Sequence, residues 1–211
     1  MDRTARVIAL TLMCLLIGGG CPAAAAQGLP QYMFPGFRGK VVADETGQPL
    51  AGVFVLAVWS SGASSPFGPR AVRVLETESR ADGTFDLAPW EAAVSTPISH
   101  ESPGLVLFAA GRDADWSGQR IGRTQSADFR LRLFEGLPEN RASQLRKFAF
   151  VLGMAWVHLY DQQRPRVLSA LDSEWRGLPA DAQGNASPSL MFEATVQSMR
   201  YGYEQEMLKQ K

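Results

Sequence analysis

Short apolar and β-branched runs, separated by Gly, Pro and Asp, occupy the chain from about residue 37 to residue 134. Runs of this kind between turn residues are typical of β-strands. The run at 53–59 is apolar throughout, which indicates a strand that is buried on both faces or has a mixed pattern. Asp82-Gly83 is a hairpin signal, and we expect 84–87 to be the returning strand. The predicted strands are 37–43, 53–59, 72–79, 84–87, 105–110 and 129–134.

The pattern changes to a helical period at Pro138. Asn140 can cap a helix that runs to about residue 160. Apolar residues cover this helix nearly all round, so we expect it to be buried on most sides. Pro165 can occupy the first turn of a second helix, and Ser187-Pro188 can open a third. The sequence therefore predicts an α+β protein, with an antiparallel β-sandwich over 37–135 and about three α-helices over 138–211.

Residues 1–26 predict an export signal, because two arginines precede the uncharged run 7–17, which is too short to span a bilayer. Two alternative cleavage sites are possible. Cleavage before Cys21 would leave a lipidated cysteine, and Gly19-Gly20-Cys21 resembles the end of a bacterial lipoprotein signal. Cleavage near Gln27 would follow the small residues 23–26 and release a soluble product. We expect an exported protein, periplasmic or lipid-anchored to the outer membrane, with membrane attachment only at this end.

Residues 27–36 are rich in Gly and Pro and predict a tether. The 211-residue chain has 21 Lys and Arg against 21 Asp and Glu, so its formal net charge is zero. This balance argues against nucleic-acid binding, which needs a concentrated positive surface. Of the two cysteines, Cys14 lies in the signal segment, so we expect no intramolecular disulfide and a fold held by its apolar core.

Residues 39–53 read GKVVADETGQPLAGV. This segment resembles the opening of the carboxypeptidase regulatory-like domain, a transthyretin-like β-sandwich with the pattern G-x-V-x-D-x-x-G-x-P-L-x-G-V. Residues 82–85, which read DGTF, are similar to the hairpin of that family, and 108–111 resemble its later strand and glycine. The resemblance covers about residues 36–134. It implies an accessory sandwich that serves folding, binding or attachment and has no chemistry of its own.

Candidate metal sites are incomplete in the sequence. His158 and Asp161 have helical spacing, but no third ligand lies near them in the chain. Asp113-Ala-Asp115-Trp-Ser-Gly matches the first half of a calcium loop, yet Thr124 stands where a bidentate Glu is expected. The chain also lacks a G-x-S-x-G nucleophile motif and a phosphate-binding glycine loop. We therefore predict no catalytic residue, metal or cofactor.

Two tryptophans are the candidate contact residues. Trp59 and Trp90 border the long segments 60–70 and 89–104, which we interpret as loops. Their rings could stack on a sugar or anchor a protein partner, although core packing is the more ordinary role. The first hypothesis is thus an exported, non-catalytic binding or assembly module with an unknown protein partner. The alternative is a carbohydrate-active or hydrolytic protein that uses the two loops.

Overall fold

The computed structural model describes residues 31–65, 68–93, 103–114, 126–157, 159 and 163–209, and within them strands are followed by helices. The strands are β1 (Gln31–Phe34), β2 (Phe37–Ala43), β3 (Phe54–Ser65), β4 (Gly68–Glu78), β5 (Thr84–Leu87), β6 (Trp90–Ala93), β7 (Gly104–Phe108) and β8 (Ser126–Leu131). The helices are α1 (Pro138–Trp156), α2 (Val167–Gly177), α3 (Ala180–Gln183) and α4 (Pro188–Lys209). The predicted α+β class is confirmed.

The strands form two three-stranded sheets, in the orders β5-β2-β8 and β4-β3-β7, and a two-stranded ribbon of β1 and β6. Most pairs are antiparallel, but β2 and β8 run parallel, with Val41 opposite Phe129. The expectation of antiparallel pairing throughout was therefore wrong. Side-chain alternation predicts which residues lie in a strand, but it carries no information on the direction of the neighbouring strand.

The Asp82-Gly83 turn joins the two sheets and does not close a hairpin, because β4 pairs with β3 whereas β5 pairs with β2. The turn itself has the predicted chemistry. Asp82 Oδ1 accepts a hydrogen bond from Thr84 N at 2.9 Å, and Gly83 has a φ of +78°. A Cβ on Gly83 would lie 2.5 Å from the carbonyl oxygen of Val41. A turn motif directs the chain locally, but it does not choose the strand with which the next segment pairs.

Three segments, predicted as one tether and two loops, contain strands. β1 lies within the predicted tether 27–36, and it pairs with β6, which lies within the predicted loop 89–104. The predicted loop 60–70 mainly continues β3 and β4, which remain paired as far as Ser65 opposite Gly68. Register shifts on either side of Ser60 interrupt this pairing. The Ser/Gly composition indicated a loop, but pairing with an adjacent strand overrides weak β-propensity.

Two apolar clusters lie on opposite faces of the β4-β3-β7 sheet. The first is shared by both three-stranded sheets, and its buried members include Val41, Val55, Trp59, Phe85, Leu107, Phe129 and Leu131. The second joins the other face to the helices, through Leu56, Val74, Phe108, Leu145, Phe148, Leu168, Leu171 and Phe192. Alternate residues of β3 thus enter different clusters, which accounts for the apolar run at 53–59. The helices pack on the sheet, and residues from Gln31 onward form one compact unit.

The helix ends depart partly from their predicted positions. α1 starts at Pro138 with Leu137 as its N-cap residue, so Asn140 lies inside the helix and does not cap it. Phe150 and Met154 of α1 are exposed, so this helix is buried on fewer sides than predicted. Ser187 Oγ accepts a hydrogen bond from Leu190 N at 3.3 Å, as expected of a cap of α4. Within the described residues, no helix has the length and hydropathy needed to cross a membrane.

Candidate functional site

A buried ion pair connects the helices to the end of β7. Arg141 of α1 is 3% exposed, and its Nε and Nη2 lie 2.7 and 2.8 Å from the two carboxylate oxygens of Glu174 of α2. Arg141 Nη1 donates to the carbonyl oxygen of Arg112 at 2.6 Å, and Glu174 accepts a hydrogen bond from Gly111 N at 3.0 Å. The guanidinium also lies 5.8 Å from the centre of the Phe108 ring. Since its donors are used inside the fold, Arg141 is a structural residue.

A second polar group lies beside this pair. Glu45 accepts hydrogen bonds from Leu133 N and from Arg112 Nη1, and these contacts lower its pKa to about 2. The backbone hydrogen bond from Leu133 is the largest cause. Asp113, the first residue of the candidate calcium loop, lies 3.1 Å from Arg132 Nη2. That carboxylate is therefore paired with an arginine, and residues 115–124 of the candidate loop lie outside the described residues.

Trp59 occupies the first apolar cluster and not a ligand site. Its side chain is 1% exposed, and Nε1 donates to Tyr32 Oη at 3.1 Å. The ring centre lies 4.8 Å from that of Phe34 and 5.1 Å from that of Trp90, both with edge-to-face geometry. The prediction of a contact residue at Trp59 was therefore wrong. A strand that is buried on both faces has no position from which a ring can reach solvent.

Trp90 is half-buried and remains a candidate contact residue. Its ring lies 5.1 Å from Tyr32, and the guanidinium carbon of Arg73 lies 5.7 Å from its centre. Trp90 Nε1 is buried and has no hydrogen-bond partner among the described residues, as is also true of Ser61 Oγ. The sequence named Trp90 as a candidate but not Tyr32 or Arg73. Tyr32 reaches Trp90 through the pairing of β1 with β6, and Arg73 reaches it from a third strand, β4.

The remaining candidate residues are either paired or outside the described chain. Arg130 lies on the exposed face of β8 and pairs with Asp44 at 3.8 Å. Cys21, His158 and Asp161 lie outside the described residues. Within the part of the chain that the structure describes, no group of three His, Cys, Asp or Glu side chains is arranged to hold a metal ion.

A groove of about 290 Å³ lies between β4 and the start of α2. Its lining comprises Arg73, Val74, Glu76, Trp156, Gln163, Arg164 and Arg166. Glu76 of β4 caps α2, because its two carboxylate oxygens accept hydrogen bonds from Arg166 N at 2.9 Å and Val167 N at 2.8 Å. Sequence reasoning missed this groove, since 90 residues separate Glu76 from the backbone that it caps.

No family model and no curated protein matches the sequence. Similar solved structures include the 3-chlorocatechol 1,2-dioxygenase from Rhodococcus opacus 1CP, with 15% identity over 49% of this chain and a TM-score of 0.29. A 9R-lipoxygenase from Cyanothece PCC8801 has 12% identity over 66% of this chain and a TM-score of 0.27. The matched regions span 60% and 26% of those two chains. Similarity at this level supports no conclusion about the fold or activity of this protein.

Proposed function

We propose that this protein is an exported, non-catalytic assembly module of the cell envelope, built on a transthyretin-like β-sandwich with a helical segment attached. The two three-stranded sheets share one apolar cluster, which supports a sandwich. The glycines of the family-like segment also lie where the pattern requires turns. Gly47 and Gly52 have φ values of +68° and +71°, in the backbone region that favours glycine.

The proposal of an assembly role rests on the outward face of α4. Leu190, Tyr201 and Leu208 are 61%, 65% and 64% exposed. At 3.6 residues per turn, their directions around the helix axis agree to within about 20°. Together they span about 27 Å of one helix face at a rise of 1.5 Å per residue, with the exposed Gln197 and Glu204 between them, and we call these three residues the α4 stripe. The buried residues of α4, Phe192, Thr195 and Val196, lie on the opposite side.

Three exposed apolar side chains aligned on one helix face are more than the exposed residues that occur singly on any soluble protein. Helices commonly dock through side chains that recur on one face, and aromatic residues are enriched at the centres of protein interfaces. The stripe faces away from the apolar cluster that anchors α4, so it contributes little to the fold. We therefore assign it to contact with a protein partner in the envelope.

Site-specific photo-cross-linking in native envelopes tests this proposal. A photoreactive phenylalanine analogue in place of Tyr201 should give a discrete stoichiometric adduct, whereas the same analogue in place of Glu139, exposed on α1, should not. Leu190→Ser and Leu208→Ser together should abolish adduct formation at position 201. A monodisperse monomer without any adduct would refute the assembly role. The mass of the mature N-terminus from the same sample decides between lipidation at Cys21 and cleavage near Gln27.

Carbohydrate binding through Trp90 is the second candidate function. Its support is the half-buried Trp90 ring with a neighbouring cation at Arg73, since sugars stack on aromatic rings. Affinity electrophoresis in gels that contain envelope polysaccharide should retard the protein. Trp90→Ala should remove that retardation, whereas Trp175→Phe, which changes a tryptophan on α2, should retain it.

A further inference from the structure

We propose that the groove between β4 and the start of α2 binds a small oxyanion of the phosphate or carboxylate type. At about 290 Å³ the groove holds roughly ten water molecules at their liquid volume, which is ample for such an anion. None of the residues that line the groove belongs to the α4 stripe. The inference is therefore independent of the assembly role and goes beyond it.

The groove is rich in hydrogen-bond donors. Arg164 and Arg166 each carry a planar guanidinium with five N–H donors, and their side chains are 52% and 60% exposed. Among the described residues each makes one long ion pair, Arg164 Nε to Glu193 at 3.4 Å and Arg166 Nε to Glu76 at 3.6 Å. Exposed pairs of this kind are weak and leave most of the donors available. Guanidinium groups are well suited to bind carboxylates and phosphates in a bidentate manner.

The carboxylate in the groove wall already has partners. Both oxygens of Glu76 accept backbone hydrogen bonds at the N-terminus of α2, where a negative charge is favourable. The lining contains three arginines and one glutamate. When Glu193, which pairs with Arg164, is included, the local net charge is +1. Arg73 lies over the Trp90 ring, so we assign it no direct contact with the anion. The balance of charge favours an anionic ligand over a cation.

Trp156 supplies an independent observation that points to a ligand. Its side chain lines the groove and is only 6% exposed, and Nε1 has no hydrogen-bond partner among the described residues. An indole N–H can only donate, and a buried donor without an acceptor destabilises the fold. A buried polar group of this kind in a native structure requires an explanation, such as a bound ion or water. An oxyanion held by the two guanidinium groups would lie against this ring, and a small shift of the ring would let Nε1, which has almost no accessible surface, donate to it.

NMR of the indole N–H groups in the full chain tests the proposal. The five tryptophans should each give one indole signal, and Trp156→Phe identifies the signal of Trp156. Inorganic phosphate and acetate are added in separate titrations, with ionic strength held constant by sodium chloride. We expect at least one of these anions to shift the Trp156 signal saturably. The stronger responder tells which of the two anion types the groove prefers.

Two arginine variants complete the test. Arg164→Gln with Arg166→Gln should weaken binding of the responding anion by about tenfold or more, since charged hydrogen bonds are lost. Arg176→Gln, which removes an arginine from the opposite end of α2, should titrate like the wild-type protein. Matching backbone amide spectra show that the variants remain folded. If chloride alone shifts the Trp156 signal as much as phosphate and acetate do, or if the double variant binds as tightly as the wild type, the proposal is overturned and water fills the groove.

Discussion

Replacement of Arg141 by methionine should destabilise the protein strongly. The change leaves the Glu174 carboxylate without its bidentate partner and leaves the carbonyl oxygen of Arg112 without a donor. Removal of one member of a buried pair typically costs about 3–5 kcal/mol. Because the Glu174 side chain is 13% exposed and can be partly hydrated, we expect the lower end, about 3 kcal/mol. At about 2–4 °C per kcal/mol for a domain of this size, the melting temperature should fall by about 10 °C.

Urea denaturation followed by circular dichroism measures this free energy of unfolding. Arg38→Met is the matched control, because Arg38 pairs with Asp86 at 2.7 Å but its side chain is 74% exposed. That control should unfold at nearly the same urea concentration as the wild type, because solvent screens an exposed ion pair. Arg141→Met combined with Glu174→Leu should be less destabilised than Arg141→Met alone, since no unpaired charge remains. The reasoning is refuted if Arg141→Met costs no more than Arg38→Met, or if the two changes at 141 and 174 are simply additive.

Two further predictions concern the β-strand half of the protein. Gly83→Ala should lower the free energy of unfolding by more than Gly47→Ala, which should cost about 1 kcal/mol. Both glycines have positive φ, but only at Gly83 does a Cβ meet a backbone atom, and equal costs in urea denaturation would contradict this steric argument. The folded-state pKa of Glu45, about 2, lies below its ordinary value of 4.5, so its contribution to stability is complete above pH 4.5 and is lost as the pH falls toward 2. Between these pH values the melting temperature of Glu45→Gln should therefore depend less on pH than that of the wild type. The exposed control Glu135→Gln should follow the wild type. If the melting temperature of Glu45→Gln changes with pH as steeply as that of the wild type, the contact of Glu45 is absent.

The part of the fold that could be predicted from the sequence depends on local signals. The strand at 53–59 was predicted because burial on both faces leaves a continuous apolar run, and α4 was located by its Ser187 cap. The partners of β1, β5 and β8 could not be predicted, since strand pairing depends on the whole chain. The Arg141–Glu174 pair was missed for the same reason. Its members are 33 residues apart, and each is a charged residue that a helical pattern alone assigns to the surface.

The separation of faces on α4 makes the fold and the proposed assembly role independently testable. Phe192 and Val196 on the buried face belong to the second apolar cluster. That cluster also contains residues of α1, α2 and the β4-β3-β7 sheet. The Arg141–Glu174 pair ties α1 to α2 within the same body. The stripe of Leu190, Tyr201 and Leu208 is thus presented on a helix that is already formed, which reduces the ordering cost that a partner would otherwise meet. Since exposed residues contribute little to stability, polar substitutions on the stripe should affect partner contact and leave unfolding unchanged. Substitutions at Phe192 should affect both.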